Sequence, residues 1–232
     1  MKQGQLPLGV QLSDDATFSS FYAGPNTAVL AAIQRVLRGE GEEHYLYLWG
    51  EEGVGCTHLL QAACHESVIL GRSACYLPLK NYAILPATAL EGLERLSLVC
   101  LDNIDAIAGH GVWEEAVFHF FNRLRASHIP LLVADHKAAR YLNIKLPDLK
   151  SRLSWGTPYQ VHALEDNEKL AALQIRAKAR GLVLSDEVGR FLLRRCARDM
   201  QALYHTLAKL DAASLSAQRR LTIPFIKEVL TV

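Results

Sequence analysis

The apolar positions of this chain alternate between a helical and a strand period, and the changes of period mark out its elements. Val29, Leu30, Ile33, Val36 and Leu37 recur at helical spacing from Ala28 to Arg38, and Gly39 supplies a stop. Tyr45 to Trp49 reads as a strand running directly into a glycine-rich segment, and Thr57 to Glu66 reads as a helix with Leu59, Leu60, Ala63 and Cys64 on its inner side. Further strands are expected at Ala74 to Leu77, Leu96 to Leu101 and Pro130 to Ala134, separated by helical stretches of which Trp113 to Ala126 is the clearest. Strands alternating with helices predict a parallel sheet covered on both faces. Near Leu164 the character changes. The rest reads as helices alone: Asn167 to Arg180 closed by Gly181, Asp186 to Cys196 capped by Ser185, Arg198 to about Ala213, and Ile223 to Leu230. The expected fold class is therefore α/β, a parallel sheet flanked by helices followed by a small all-helical domain. Residues 1–16 show neither period and carry Gly4, Pro7 and Gly9, so they read as a flexible arm punctuated by Leu6, Leu8, Val10 and Leu12.

Composition narrows the function classes. Half of the 232 residues are hydrophobic, enough for a substantial core, and a net charge of +1 gives no global sign of a nucleic-acid binder. The five cysteines, at 56, 64, 75, 100 and 196, form no C-x-x-C pair and fit reduced thiols. No basic and apolar leader opens the sequence, and no apolar run approaches the roughly 18 residues that span a bilayer, so a cytoplasmic protein is expected.

The chemistry concentrates in Gly50-Glu51-Glu52-Gly53-Val54-Gly55-Cys56-Thr57. The phosphate-loop pattern is G-x-x-x-x-G-K-S/T, in which backbone N–H groups cradle phosphates, the lysine reaches the outer phosphates and the hydroxyl holds magnesium. Gly50, Gly55 and Thr57 fall in place between a strand and a helix, as that pattern requires. Cys56 occupies the lysine position. Losing a charge-assisted hydrogen bond removes about 1.5–3 kcal/mol, roughly ten- to a hundredfold in affinity. A helix N-terminus also lowers cysteine pKa values. A thiolate at Cys56 would repel phosphate, so nucleotide affinity is expected to fall between about pH 7 and 9.

Asp102 closes a buried apolar strand one α/β unit after the loop, where a carboxylate can orient magnesium or its water shell. Read alone it would more often be a cap. Asn103 follows, and an amide cannot act as a general base, so intrinsic hydrolysis is expected to be weak. Asp135 reads as a polar sensor at a strand end or as a turn residue. Arg152, in Ser151-Arg152-Leu153-Ser154-Trp155-Gly156, reads as a surface cation or as an arginine presented to a nucleotide in another subunit. Arg198 reads as a helical arginine facing a domain crevice or simply solvent. The histidines, His58 among them, form no ligand set.

Taken in order, the arm, Thr17-Phe18-Ser19-Ser20-Phe21, the glycine loop, Leu101-Asp102-Asn103-Ile104-Asp105 and the segment around Arg152 resemble the DnaA/Hda family of AAA+ proteins. The resemblance covers essentially the whole chain, and it implies an arm (1–16), an AAA+ nucleotide-binding domain (17–164) and a helical lid (165–232). The sequence stops where an initiator would continue into a helix-turn-helix, which favours the regulatory branch. That branch implies negative regulation of replication initiation, by stimulating hydrolysis of DnaA-bound ATP and so preventing re-initiation. It implies ADP, with or without Mg2+, held by Gly50, Gly53, Val54, Gly55, Cys56, Thr57, His58, Asp102, Asp135 and Arg198. Thr57 and Asp102 would be the groups nearest the metal, and Arg152 an arginine finger acting in trans. Implied partners are DnaA and the beta sliding clamp of DNA polymerase III, the latter through Gln5, Leu6 and Leu8, where Gly9 and Val10 depart from the usual proline and leucine. Neither sequence-specific DNA binding nor membrane attachment is implied; a homodimer stays open, and the resemblance places the protein at the bacterial nucleoid and replisome. A free-standing weak P-loop ATPase and a nucleotide-independent adaptor between clamp and initiator remain as alternatives.

Overall fold

The computed structural model describes residues 12–13, 15–196 and 199–230. The first long helix, α1 (Thr27–Arg38), ends at Gly39, whose φ of 72° is the left-handed conformation of a helix C-terminus. Five parallel strands follow at intervals: β1 (Tyr45–Trp49), β2 (Ala74–Pro78), β3 (Leu98–Asp102), β4 (Leu131–Asp135) and β5 (Pro158–Gln160). They pair in the order β2-β3-β4-β1-β5. Between them lie α2 (Cys56–Ile69), α3 (Gly111–Ala126) and α4 (Pro147–Leu153). Four more helices complete the chain: α5 (Asp166–Ala179), α6 (Asp186–Arg195), α7 (Met200–Ala217) and α8 (Ile223–Leu230).

The strand period sorts the core into two layers. Leu46 and Leu48 of β1, Leu98 and Cys100 of β3, and Leu132 and Ala134 of β4 face α1 and α2. Tyr47, Val99, Leu101 and Val133 face the other way, onto Trp113, Val117, Phe120 and Leu124 of α3. Both faces are thus dry, which is why the strands read as near-continuous apolar runs. The terminal helices bury Leu173, Leu192, Leu203, Leu207, Phe225 and Ile226 in a separate core.

The expected elements appear with small shifts. β3 begins two residues and β4 one residue later than expected, and Asp102 and Asp135 are their last residues. α7 extends to Ala217, beyond the expected Ala213. The seven residues of α4 are too few to show a period, and only Leu149 and Leu153, both buried, mark its inner side. The described residues of the expected arm are held in place. The Ser13 N–H donates to Gln61 Oε1 at 3.1 Å, Ala16 is buried, and Asp15 pairs with Arg176 at 2.8 Å and with Arg180.

One buried carboxylate organises the approach to α4. Glu114 Oε1 accepts from the Gly109 N–H at 2.7 Å, Oε2 accepts from Leu146 at 2.7 Å, and the Lys145 N–H lies 3.0 Å from each oxygen. Burial raises its pKa, but these backbone donors and the nearby Lys145 charge outweigh that and hold the group below its ordinary 4.5. Its stabilising contribution is therefore complete above the unfolded pKa and fades as pH falls through the lowered folded value. Glu114→Gln should cost about 2 kcal/mol in urea unfolding at pH 7, within the range for hydrogen bonds to charged groups. The difference from the wild type should shrink steadily below about pH 4; a difference independent of pH would mean that charge has no part in it.

Candidate nucleotide site and the Arg152 edge

The glycine loop leaves the C-terminal end of β1 and enters α2 at Cys56. Gly50 is required by close approach: a Cβ there would stand 2.4 Å from the Val161 carbonyl oxygen. Gly53 and Gly55 lie at φ of 83° and 111°, which side-chain-bearing residues rarely adopt. No side chain caps α2, so the first-turn N–H groups of Cys56, Thr57 and His58 point into the loop without a side-chain acceptor. Such a cradle suits an anionic phosphate and needs no lysine to form.

Asp102 stands beside it, buried, with one oxygen accepting two hydroxyl donors. Thr57 Oγ1 donates to Asp102 Oδ2 at 2.7 Å, and the Tyr76 hydroxyl donates to the same oxygen at 2.7 Å. Burial, then the Asp102 charge, push the Tyr76 hydroxyl far above its ordinary pKa, so it stays a neutral donor. Sequence reading missed Tyr76, whose place on β2 beside β3 becomes visible only with the strand register. The geometry thus brings Thr57 and Asp102 together as expected, and these are the groups that would hold a divalent cation on a bound diphosphate.

Asp135 is drawn to its own loop. Oδ2 accepts from the Asp105 N–H at 2.7 Å, and Oδ1 from His136 at 2.7 Å and Lys137 at 3.3 Å. Burial nevertheless leaves its pKa raised. Asn103 takes φ 58°, ψ 55°, a left-handed conformation that asparagine tolerates better than most residues. The residue that cannot act as a base is thus also one suited to the turn that ends β3. His58 turns away from the loop: its Nε2 lies 2.9 Å from the Thr17 carbonyl oxygen, and burial lowers its pKa, so a neutral ring donates there. Only its backbone N–H belongs to the cradle.

Cys56 departs from expectation. Burial, then the negative charges of Asp102 and Asp135, push its thiol up to about 12, overriding the helix N-terminus that was expected to lower it. No thiolate stands in the loop near neutral pH, and the expected fall of affinity between pH 7 and 9 loses its cause.

The crevice between the glycine loop and the helical domain has a volume of about 40 Å³, with Phe21, Tyr22, Val54, Leu164, Met200 and Tyr204 among its walls. That is room for little more than a water molecule. The phosphate end of a nucleotide therefore fits the residues present. Its nucleoside would fit only after Phe21 parts from Met200 and Tyr204. Arg198, expected across this crevice, and Gln5, Leu6 and Leu8 of the arm lie outside the described residues.

Arg152 sits elsewhere. It occupies the last turn of α4, half-buried, and the Tyr45 hydroxyl donates to the Leu153 carbonyl at 2.9 Å. Tyr45 begins β1, whereas Gly50 follows its end, so about 13 Å of strand at ~3.3 Å per residue separates the two edges. Arg152 is thus placed away from its own chain's phosphate cradle, and among the described residues it forms no ion pair.

Sheet order, glycine loop and terminal helices together give the chain a fold of the AAA+ type. The fold matches domain III of the replication initiation protein DnaA from Thermotoga maritima with a TM-score of 0.80 at 18% identity, over 96% of this chain and 98% of that one. It also matches AMPPCP-bound DnaA from Aquifex aeolicus (TM-score 0.74, 20% identity, 89% of this chain and 68% of that one). A variant of Thermotoga maritima RuvB follows at a TM-score of 0.64 and 14% identity, over 88% of this chain and 67% of that one. More narrowly, residues 166–230 match the family model of the Hda lid domain. A lid similar to that of Hda on a DnaA-like fold bears out the resemblance to the DnaA/Hda family.

Alkylation of Cys56, followed by mass spectrometry against Cys56→Ser, should show no titration between pH 7 and 9 and an increase only above about pH 11. A midpoint near 8 would show that the helix N-terminus governs this thiol after all.

Proposed function

We propose that this chain regulates the replication initiator DnaA by stimulating hydrolysis of DnaA-bound ATP. The observation that carries the reading is the segregation of Arg152 from the chain's own glycine loop, to the opposite edge of the sheet, with no carboxylate neutralising it among the described residues. A cation so placed can serve only a nucleotide held by another molecule, and the Hda-type lid and DnaA-like fold make DnaA the natural partner. An arginine supplied in trans to another molecule's phosphates stabilises charge developing on the transferred phosphoryl group.

In this reading residues 17–164 are the nucleotide-binding domain, residues 165–232 the lid, and Gln5, Leu6 and Leu8 of the arm dock to the sliding clamp. The chain's own site holds ADP. The diphosphate lies against the N–H groups of Gly53 to His58, with Thr57 and Asp102 nearest any Mg2+ and Asp135 beside it; Arg198, assigned to the same nucleotide by the family resemblance, lies outside the described residues. Bound ADP supplies no chemistry; it sets the orientation of lid and core. Asn103 leaves the site without a base, so autonomous turnover is slow. A nucleotide-independent adaptor is the second reading, favoured by the narrow crevice. Heat release of ADP from the purified protein separates the two: stoichiometric ADP supports the first, and none supports the second.

The deciding experiment follows hydrolysis of DnaA-bound ATP on clamp-loaded DNA. Arg152→Ala should lower the stimulated rate by about 10³, the lower range for arginine fingers, while clamp binding is unchanged. Gln5→Ala should instead lose stimulation together with clamp retention. Full stimulation by Arg152→Ala would rule out the proposed role.

A further inference from the structure

An arginine that acts on a partner's phosphate must be held still without being neutralised. A salt bridge would fix its direction but cancel the charge it delivers. Held by nothing, a partly exposed arginine loses side-chain entropy when it is finally fixed. An aromatic face provides a third arrangement, since the ring attracts the guanidinium through its quadrupole and leaves the net charge intact.

The turn after α4 supplies that face. The Trp155 N–H donates to the Arg152 carbonyl at 3.0 Å, and Gly156 at φ 77° carries the chain on toward β5. This turn brings the indole beside Arg152, whose Cζ lies 4.9 Å from the ring centroid. Arg125, in the last turn of α3, lies over the same ring at 3.8 Å. Neither arginine forms an ion pair among the described residues. The backbone beneath is fixed independently: the Tyr45 hydroxyl holds the Leu153 carbonyl, and a Cβ on Gly156 would stand 3.3 Å from the Tyr45 ring. Trp155 remains 43% exposed and forms one wall of a cavity of about 260 Å³ lined also by Tyr45, Phe121, Leu124 and Leu131. A large, half-exposed aromatic without a core to fill is explained by what lies on it.

We infer that Trp155 is a positioning residue for Arg152: its indole holds the guanidinium in the direction from which it meets the partner's phosphates, and Arg125 fixes the indole from α3. The inference rests on the reading of Arg152 as the group presented in trans. It adds that the segment from Arg152 to Trp155, together with Arg125, works as one unit.

The test measures hydrolysis of DnaA-bound ATP on clamp-loaded DNA against concentration of this protein, for the wild type, Trp155→Leu, Trp155→Phe, Arg152→Ala and the double variant Trp155→Leu with Arg152→Ala. Trp155→Leu keeps apolar bulk without a π face. It should lower the maximal rate about tenfold, the scale of a misplaced catalytic group, with the half-saturating concentration changed less than about twofold. Trp155→Phe should recover most of the rate, and Trp155→Leu should have no further effect once Arg152 is alanine. A maximal rate unchanged in Trp155→Leu while Arg152→Ala is inactive would overturn the positioning role and leave the finger reading standing. A raised half-saturating concentration at full maximal rate would make Trp155 a docking contact and likewise overturn it. Full activity of Arg152→Ala would remove both readings together. Equal loss in Trp155→Phe and Trp155→Leu, with matching thermal midpoints, would show that the π face is irrelevant.

Discussion

Five parallel strands give the sheet two chemically different edges, and the arrangement of functional groups follows from that constraint. Every strand exits at the same edge, where Gly50, Asp102 and Asp135 stand at the ends of β1, β3 and β4. Every connection must return to the opposite edge before the next strand begins. The return into β5 is made by α4, which is how Arg152 comes to the start of β1. A phosphate cradle and an arginine separated in this way cannot serve one nucleotide within the chain. A neighbouring subunit presenting its exit edge to this return edge would bring a cradle and an arginine together.

The two edges are tuned oppositely. At the exit edge, carboxylates are buried and held by neutral or backbone donors: Asp102 by Thr57 and Tyr76, Asp135 by three backbone N–H groups. Their charge keeps the neighbouring Cys56 thiol protonated, with burial the larger cause. Cys56 therefore behaves as a small neutral side chain at the start of α2, and any affinity for phosphate comes from backbone dipoles. At the return edge the order is reversed. Arg125 and Arg152 gather on Trp155 with no ion pair among the described residues, while the buried Glu114 stands at the other end of α3, turned onto the N–H groups of Gly109, Lys145 and Leu146.

Much of this was legible in the sequence because it depends on local rules. The runs Tyr45 to Trp49 and Leu98 to Asp102 are apolar at nearly every position, which only a strand buried on both faces requires. Gly50, Gly55 and Thr57 hold their pattern because each meets a steric or hydrogen-bonding demand within one turn of the chain. What sequence reading missed depends on partners distant in the chain. Tyr76 reaches Asp102 from 26 positions away, through a strand register no local pattern encodes. The helix dipole gave the wrong sign for Cys56 because it is outweighed by burial and then by charges that come from 46 and 79 residues further on. The segment up to residue 16 reads as a tail, yet Asp15 is held by Arg176 and Arg180, more than 160 residues later.

That last contact bears on how the lid is joined to the core. Arg180 and Arg176 bring the Asp15 carboxyl below its ordinary pKa despite the opposing effect of burial. These ion pairs are partly exposed, and such pairs contribute no more than about 1 kcal/mol each. Tyr22 also packs at the rim of the lid core. Each domain, by contrast, has an apolar core of its own. These ties are modest beside the apolar cores on either side of them. The crevice lined by Phe21, Met200 and Tyr204 is narrow. Widening it to the size of a nucleoside requires breaking a few contacts of about 1 kcal/mol each, an amount that hydrogen bonds to a diphosphate in the glycine loop could offset without the missing lysine.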